Sequence, residues 1–156
     1  MKKLFFLFSP IIILLITLTN CDIYDISQNG IPKFVQQDFI ELSKIKRISK
    51  FRSNAGHSYT DDYEKCRSMK HYYQLTLYGG YSTTDSAKVY SPIAGTIERV
   101  MDENSTNGIQ LWIKSSQYKA FTFHIFHIIT NRKYTIGMKV TEGELLGKTT
   151  GTDIAV

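Results

Sequence analysis

The sequence predicts a mainly β protein, an antiparallel sandwich or barrel with one short helix near its N-terminus. Three observations lead there. The chain has 156 residues, room for one domain and little more. Ten Tyr and nine Phe, with many Ile and Thr, are residue types that suit a pleated, half-buried surface. Short alternating segments recur between Gly, Asn and Pro turns through the second half. A hydrophobic fraction of 42% against 21% charged residues excludes wholesale disorder. Two cysteines make no disulfide scaffold, and no repeat of 20–50 residues is visible.

Residues 1–20 read as a signal peptide and stand outside the fold. Lys2 and Lys3 precede an apolar run over residues 4–18, broken only by Ser9, Pro10 and Thr17. That length suits a signal-peptide core and falls short of the ~20 residues that span a bilayer. The run ends in Leu18-Thr19-Asn20-Cys21, which resembles the lipobox of bacterial lipoproteins and implies acylation of Cys21. The other reading is a retained signal anchor, and both export the domain. With Cys21 lipidated, Cys66 has no intrachain partner and is a free thiol, a buried apolar residue or an intermolecular link.

Without residues 1–20, 17 basic residues face 14 acidic ones, a net charge of +3. So small and dispersed an excess is no nucleic-acid footprint. Lys44, Lys46, Arg47, Lys50 and Arg52 form the densest basic cluster. It is either a solvated face or a contact for anionic headgroups and wall polymers.

The elements follow in order. Residues 21–32 mix Asp, Ser, Gln, Asn, Gly and Pro and suit a tether, which leaves 33–156 for the domain. From Pro32, apolar residues at Val35, Phe39, Leu42 and Ile45 lie on one face of a short amphipathic helix. Residues 46–72 are polar and turn-rich, with His57 and His71. Alternation predicts strands over 73–78, 96–101 and 109–114, a short one at Val89-Tyr90, and a strongly aromatic one over 120–129. Residues 102–108 read as a hairpin loop, and 137–143 as a tight turn leading to Leu145-Leu146-Gly147.

Val89-Tyr-Ser-Pro-Ile-Ala-Gly-Thr-Ile97, Phe126-His127-Ile128 and Gly137-Met-Lys-Val-Thr-Glu-Gly-Glu-Leu-Leu-Gly147 come in an order that resembles the lysostaphin-type (LytM-like) zinc endopeptidases of bacterial cell wall. Upstream, Ile48-Ser-Lys-Phe-Arg52 and Gly56-His57-Ser-Tyr-Thr-Asp61 are similar to the segment that holds that family's His-x-x-x-Asp zinc pair. The resemblance covers about residues 46–156. It implies the duplicated hybrid motif fold, whose glycine-rich elements recur in biotinyl, lipoyl and phosphotransferase IIA domains and speak more to fold than to activity.

What the resemblance implies chemically is uneven. His57 and Asp61 are the implied zinc ligands, provided the chain turns between them, because four residues of extended strand span ~13 Å. A surface His with an N-cap Asp is the other reading. His127 is the implied catalytic histidine, which in the family hydrogen-bonds the zinc-bound water or the oxyanion. His124, three residues away, points to the opposite face of a regular strand unless a bulge intervenes. The family's final His-x-His is not met in Gly151-Thr-Asp-Ile-Ala-Val156: if Asp153-Ile-Ala-Val156 occupies that strand, Asp153 stands at the first position and Ala155 at the zinc position, and the other reading is that the sequence stops before that strand. Cys66 and His71 are a weak substitute pair.

The function expected from all this is an exported, lipid-anchored envelope protein with an impaired metallopeptidase-like domain. It would bind peptidoglycan peptides or regulate a wall-processing protein, with zinc weakly held or lost. The alternative is an active zinc endopeptidase with a nonstandard third ligand. Nucleic acid is not an expected partner.

Overall fold

The computed structural model describes residues 24–50, 70–76, 86–104, 107–150 and 154–156. Over these the chain is mainly β, with a curled antiparallel sheet that forms a half-barrel and a very short helical part. The strands are β1 (Ile45–Ile48), β2 (Tyr72–Leu75), β3 (Lys88–Tyr90), β4 (Gly95–Asn104) and β5 (Gly108–Ser115). They continue with β6 (Thr122–Thr130), β7 (Lys139–Val140), β8 (Leu145–Thr149) and β9 (Ile154–Ala155). Six of them make one sheet in the order β3-β8-β6-β5-β4-β7, and β1-β2-β9 make a second.

The core lies inside the curl. Ile97 of β4, Leu111 and Ile113 of β5, Ile125 and Ile128 of β6 and Leu146 of β8 are fully buried in one cluster. Burying each such side chain contributes about 1.5–3 kcal/mol. Alternation supplies them, since every second residue of a strand faces the same side. β8 approaches β6 so closely that a Cβ at Gly147 would stand 2.1 Å from the Ile129 carbonyl oxygen. Gly108 opens β5 at φ +75°, in the left-handed region open to glycine, and turns the β4–β5 hairpin.

The helix expected from Pro32 through Ile45 is absent. The helical part is α1 (Ile26–Asn29), capped by the Asp25 side chain on the Ser27 N–H, and a single 3-10 turn at Leu42–Lys44. Residues 39–41 instead run alongside β3: Ile40 bridges Val89, Tyr90 N–H donates to the Phe39 carbonyl, and Glu41 N–H donates to the Lys88 carbonyl. Phe39 and Ile40, adjacent in sequence, are both buried, while Val35 and Leu42 of the expected face stay exposed. An open strand edge with unpaired backbone groups thus outweighed a weak helical periodicity in a segment with β-branched Val35, Ile40 and Ile45.

Part of the expected tether is docked. The Tyr24 ring meets Tyr118 edge-on at 5.4 Å and Phe121 at 6.0 Å. The expected loop at 102–108 is shorter than read, since β4 runs on through Asn104. Lys46 and Arg47 of the basic cluster lie exposed on β1. Among the described residues, no helix is long and apolar enough to cross a membrane.

Candidate functional site

The outer face of β4, β5 and β6 carries the chemistry. Arg99, Trp112 and His124 are direct cross-strand neighbours on these three strands. Trp112 stacks on His124 with centroids 3.7 Å apart, and His124 meets Phe126 at 3.8 Å. Two cations close the ends of this row: the Arg99 guanidinium lies 4.8 Å from the Trp112 ring centre, and Lys70 Nζ lies 3.6 Å from that of Phe126. Such contacts are worth about 0.5–1 kcal/mol each at exposed sites and more when desolvated. Burial, and then the positive charges of Lys70 and Arg99, push the His124 imidazole down to about 3. His124 is therefore neutral at any physiological pH.

A bulge then changes the strand's parity. Leu111 pairs with Ile125 and Ile109 with Ile128, so Gln110 alone faces the two residues Phe126 and His127. His127 takes φ +60°, the one non-glycine residue at positive φ among the described residues. A side chain there costs on the order of 1–3 kcal/mol and persists only where its surroundings hold it. Glu103, near the end of β4, does the holding. Its Oε2 accepts from the His127 backbone N–H at 3.1 Å and from Nδ1 at 2.7 Å.

The network continues past the carboxylate. Gln110 Nε2 donates to Glu103 Oε1 at 2.6 Å, and Gln110 Oε1 lies 2.9 Å from His124 Nε2. A carboxylate only accepts, so Gln110 must turn its NH2 towards Glu103 and its carbonyl towards His124. That fixes the proton of neutral His124 on Nε2. On His127 the same carboxylate holds the proton on Nδ1. In the neutral imidazole this leaves the lone pair on His127 Nε2, which makes no bond to any described residue, on a side chain 24% exposed.

The predicted site residues fare differently. His127 sits in the bulge just described. His124, expected on the opposite layer, lies on the same outer face and is joined to His127 through Gln110 and Glu103, because the bulge supplies the missing residue. His57, Asp61, Cys66, Asp153 and the lipidation candidate Cys21 lie outside the described residues. Ala155 is in β9, opposite Tyr72 of β2, and an alanine offers no donor atom.

The β1–β2 hairpin shows where the His57 and Asp61 segment departs and returns. Ser49 N–H donates to the Tyr72 carbonyl at 2.8 Å, and Tyr72 N–H donates to Ser49 Oγ at 2.8 Å. His71 Nδ1 lies 3.0 Å from the Ser49 carbonyl, and His71 exchanges two backbone hydrogen bonds with Val156. Both ends of residues 51–69 are thus pinned together, and Lys70 rests on Phe126, next to His127. β9, on the far side of β2, packs beside β6.

Sequence reasoning missed Glu103, Gln110 and Trp112. Glu103 was hidden because residues 102–108 read as loop by composition, and the bulge that aligns it with His127 leaves no compositional trace. Among the described residues, no three His, Cys, Asp or Glu side chains gather into a group able to hold a metal. The described donors therefore do not by themselves make up a zinc site. An open hollow of about 580 Å³ lies elsewhere, lined by Val35, Gln36, Asp38, Tyr90 and Gly143 and by none of the histidines. No protein family, curated protein or solved structure matches the chain.

Proposed function

We propose that this is an exported, lipid-anchored cell-envelope protein whose lysostaphin-like domain binds peptidoglycan peptides, or a wall-processing partner, without efficient cleavage. One observation carries the reading: Ser49, His71 and Tyr72, which flank residues 51–69, are hydrogen-bonded together, and the neighbouring Lys70 rests on Phe126 beside the bulge that holds His127. Stacked aromatic rings flanked by Lys70 and Arg99 suit a peptide rich in carboxylates and amides. The alanine at position 155 supports the impaired version, since a catalytic zinc needs three protein ligands.

The test is co-sedimentation with purified cell wall, run beside a muropeptide-release assay in zinc-containing buffer. Binding without soluble fragments is the expected result. A protein that neither pellets with wall nor cleaves it contradicts the reading. The second reading, an active endopeptidase, draws on the Nδ1–Glu103 contact, which leaves His127 Nε2 available as a base. Fragment release that chelation abolishes and His57→Ala removes would favour it over the first.

A further inference from the structure

The geometry points to Glu103 as a positioning residue that presets both histidines: it holds His127 in the Nδ1–H tautomer with an Nε2 lone pair for a peptide N–H donor, and through Gln110 it fixes His124 in the opposite tautomer. The ligand class rests on the function proposed above; the tautomer assignment does not. Three observations converge on it. His127 occupies a strained backbone conformation that Glu103 stabilises from both the main chain and the ring. The second carboxylate oxygen is occupied by Gln110, so both of its oxygens are committed. Gln110 is buried and bonded at both ends, so its amide orientation is not free.

The chain of donors makes a prediction that simple scaffolding does not. A glutamine at 103 keeps one carbonyl oxygen, which suffices to accept from His127 Nδ1–H. Its NH2 must then face Gln110, whose amide has to flip and present its carbonyl. The flipped Gln110 offers an NH2 to His124 Nε2, which can accept only after the His124 proton moves to Nδ1. Glu103→Gln thus leaves His127 as it was and inverts the tautomer of a histidine two links away.

Ring-nitrogen 15N spectra of the full chain at pH 8.5, where ordinary imidazoles are neutral, read this out. His124→Phe and His127→Gln spectra supply the assignments. The wild type should show His127 protonated on Nδ1 and His124 on Nε2; Glu103→Gln should move only His124, to Nδ1. Wild-type His127 protonated on Nε2, or His124 unmoved in Glu103→Gln, overturns the positioning role. The same proteins are titrated with a soluble wall stem peptide. Glu103→Ala should weaken binding at least tenfold and Glu103→Gln less than threefold. If the alanine variant does not fold, the glutamine variant still decides the tautomers. Equal binding by wild type and a folded Glu103→Ala overturns the peptide-acceptor role. A wild type that shows the expected tautomers but binds no peptide overturns the ligand class and, with it, the proposed function.

Discussion

The inner and outer faces of β4, β5 and β6 come from the same three strands and obey opposite rules. Inside, Ile97, Leu111, Ile113, Ile125 and Ile128 are fully buried branched aliphatics that make no polar contact through their side chains. Outside, Arg99, Trp112, His124, Gln110, Glu103 and His127 form a ladder of rings and hydrogen bonds in which each group's state depends on the next. The inner face supplies stability without directional chemistry. The outer one holds a strained residue, a neutral histidine and a committed carboxylate, features that burial alone would not select.

That contrast yields measurable differences. Ile113→Ala should cost the most, about 2–5 kcal/mol in denaturant unfolding, because it leaves a cavity in a close-packed core. Folded Ile113→Ala should bind wall peptide like the wild type, and a selective loss of binding would blur the division between faces. Trp112→Ala should cost about 1–2 kcal/mol, from the lost ring stack and the Arg99 contact. Its effect on binding should exceed its effect on stability.

A third expectation concerns acid. His124 binds its proton near pH 3 when folded and near 6.5 when unfolded. Between those values the unfolded chain takes up a proton that the folded chain refuses. The His124 contribution to stability is therefore complete above about pH 6.5 and is lost as pH falls towards 3, by at most about 1.4 kcal/mol per pH unit. His124→Phe should flatten that slope, and urea midpoints from pH 7 to 4 measure it. The smallest effect belongs to Glu98→Ala on the exposed end of the outer face. Its partners Lys114 and Thr122 draw the Glu98 carboxyl below its usual range, yet an exposed pair contributes under about 1 kcal/mol.

How much of this the sequence disclosed follows from which forces are local. Alternation in 109–114 and 120–129 is written into the chain by the burial of every second residue, so β5 and β6 were legible. Gly137 and Gly143, at φ +89° and +74°, marked the turns on either side of β7 because glycine adopts the left-handed region freely. The segment around Phe39 and Ile40 was misread because its conformation is decided by the open edge of β3, which no local periodicity encodes. The site divided along the same line. His127 was singled out by the preceding Phe126 and the spacing to Gly137. Glu103 and Gln110 were not, because one inserted residue in β6 sets their alignment with the histidines. The expectation that His57 and Asp61 bind zinc rests on the resemblance alone, and both residues lie outside those described.

The most direct test of the account is a chemical-shift map of the labelled protein during titration with a soluble wall stem peptide. If the outer face binds the peptide, the Trp112 indole, the His124 and His127 rings and the Lys70 and Glu103 amides respond first and along one binding curve. Shifts centred instead on Val35, Asp38 and Gly143, around the open hollow, would contradict it.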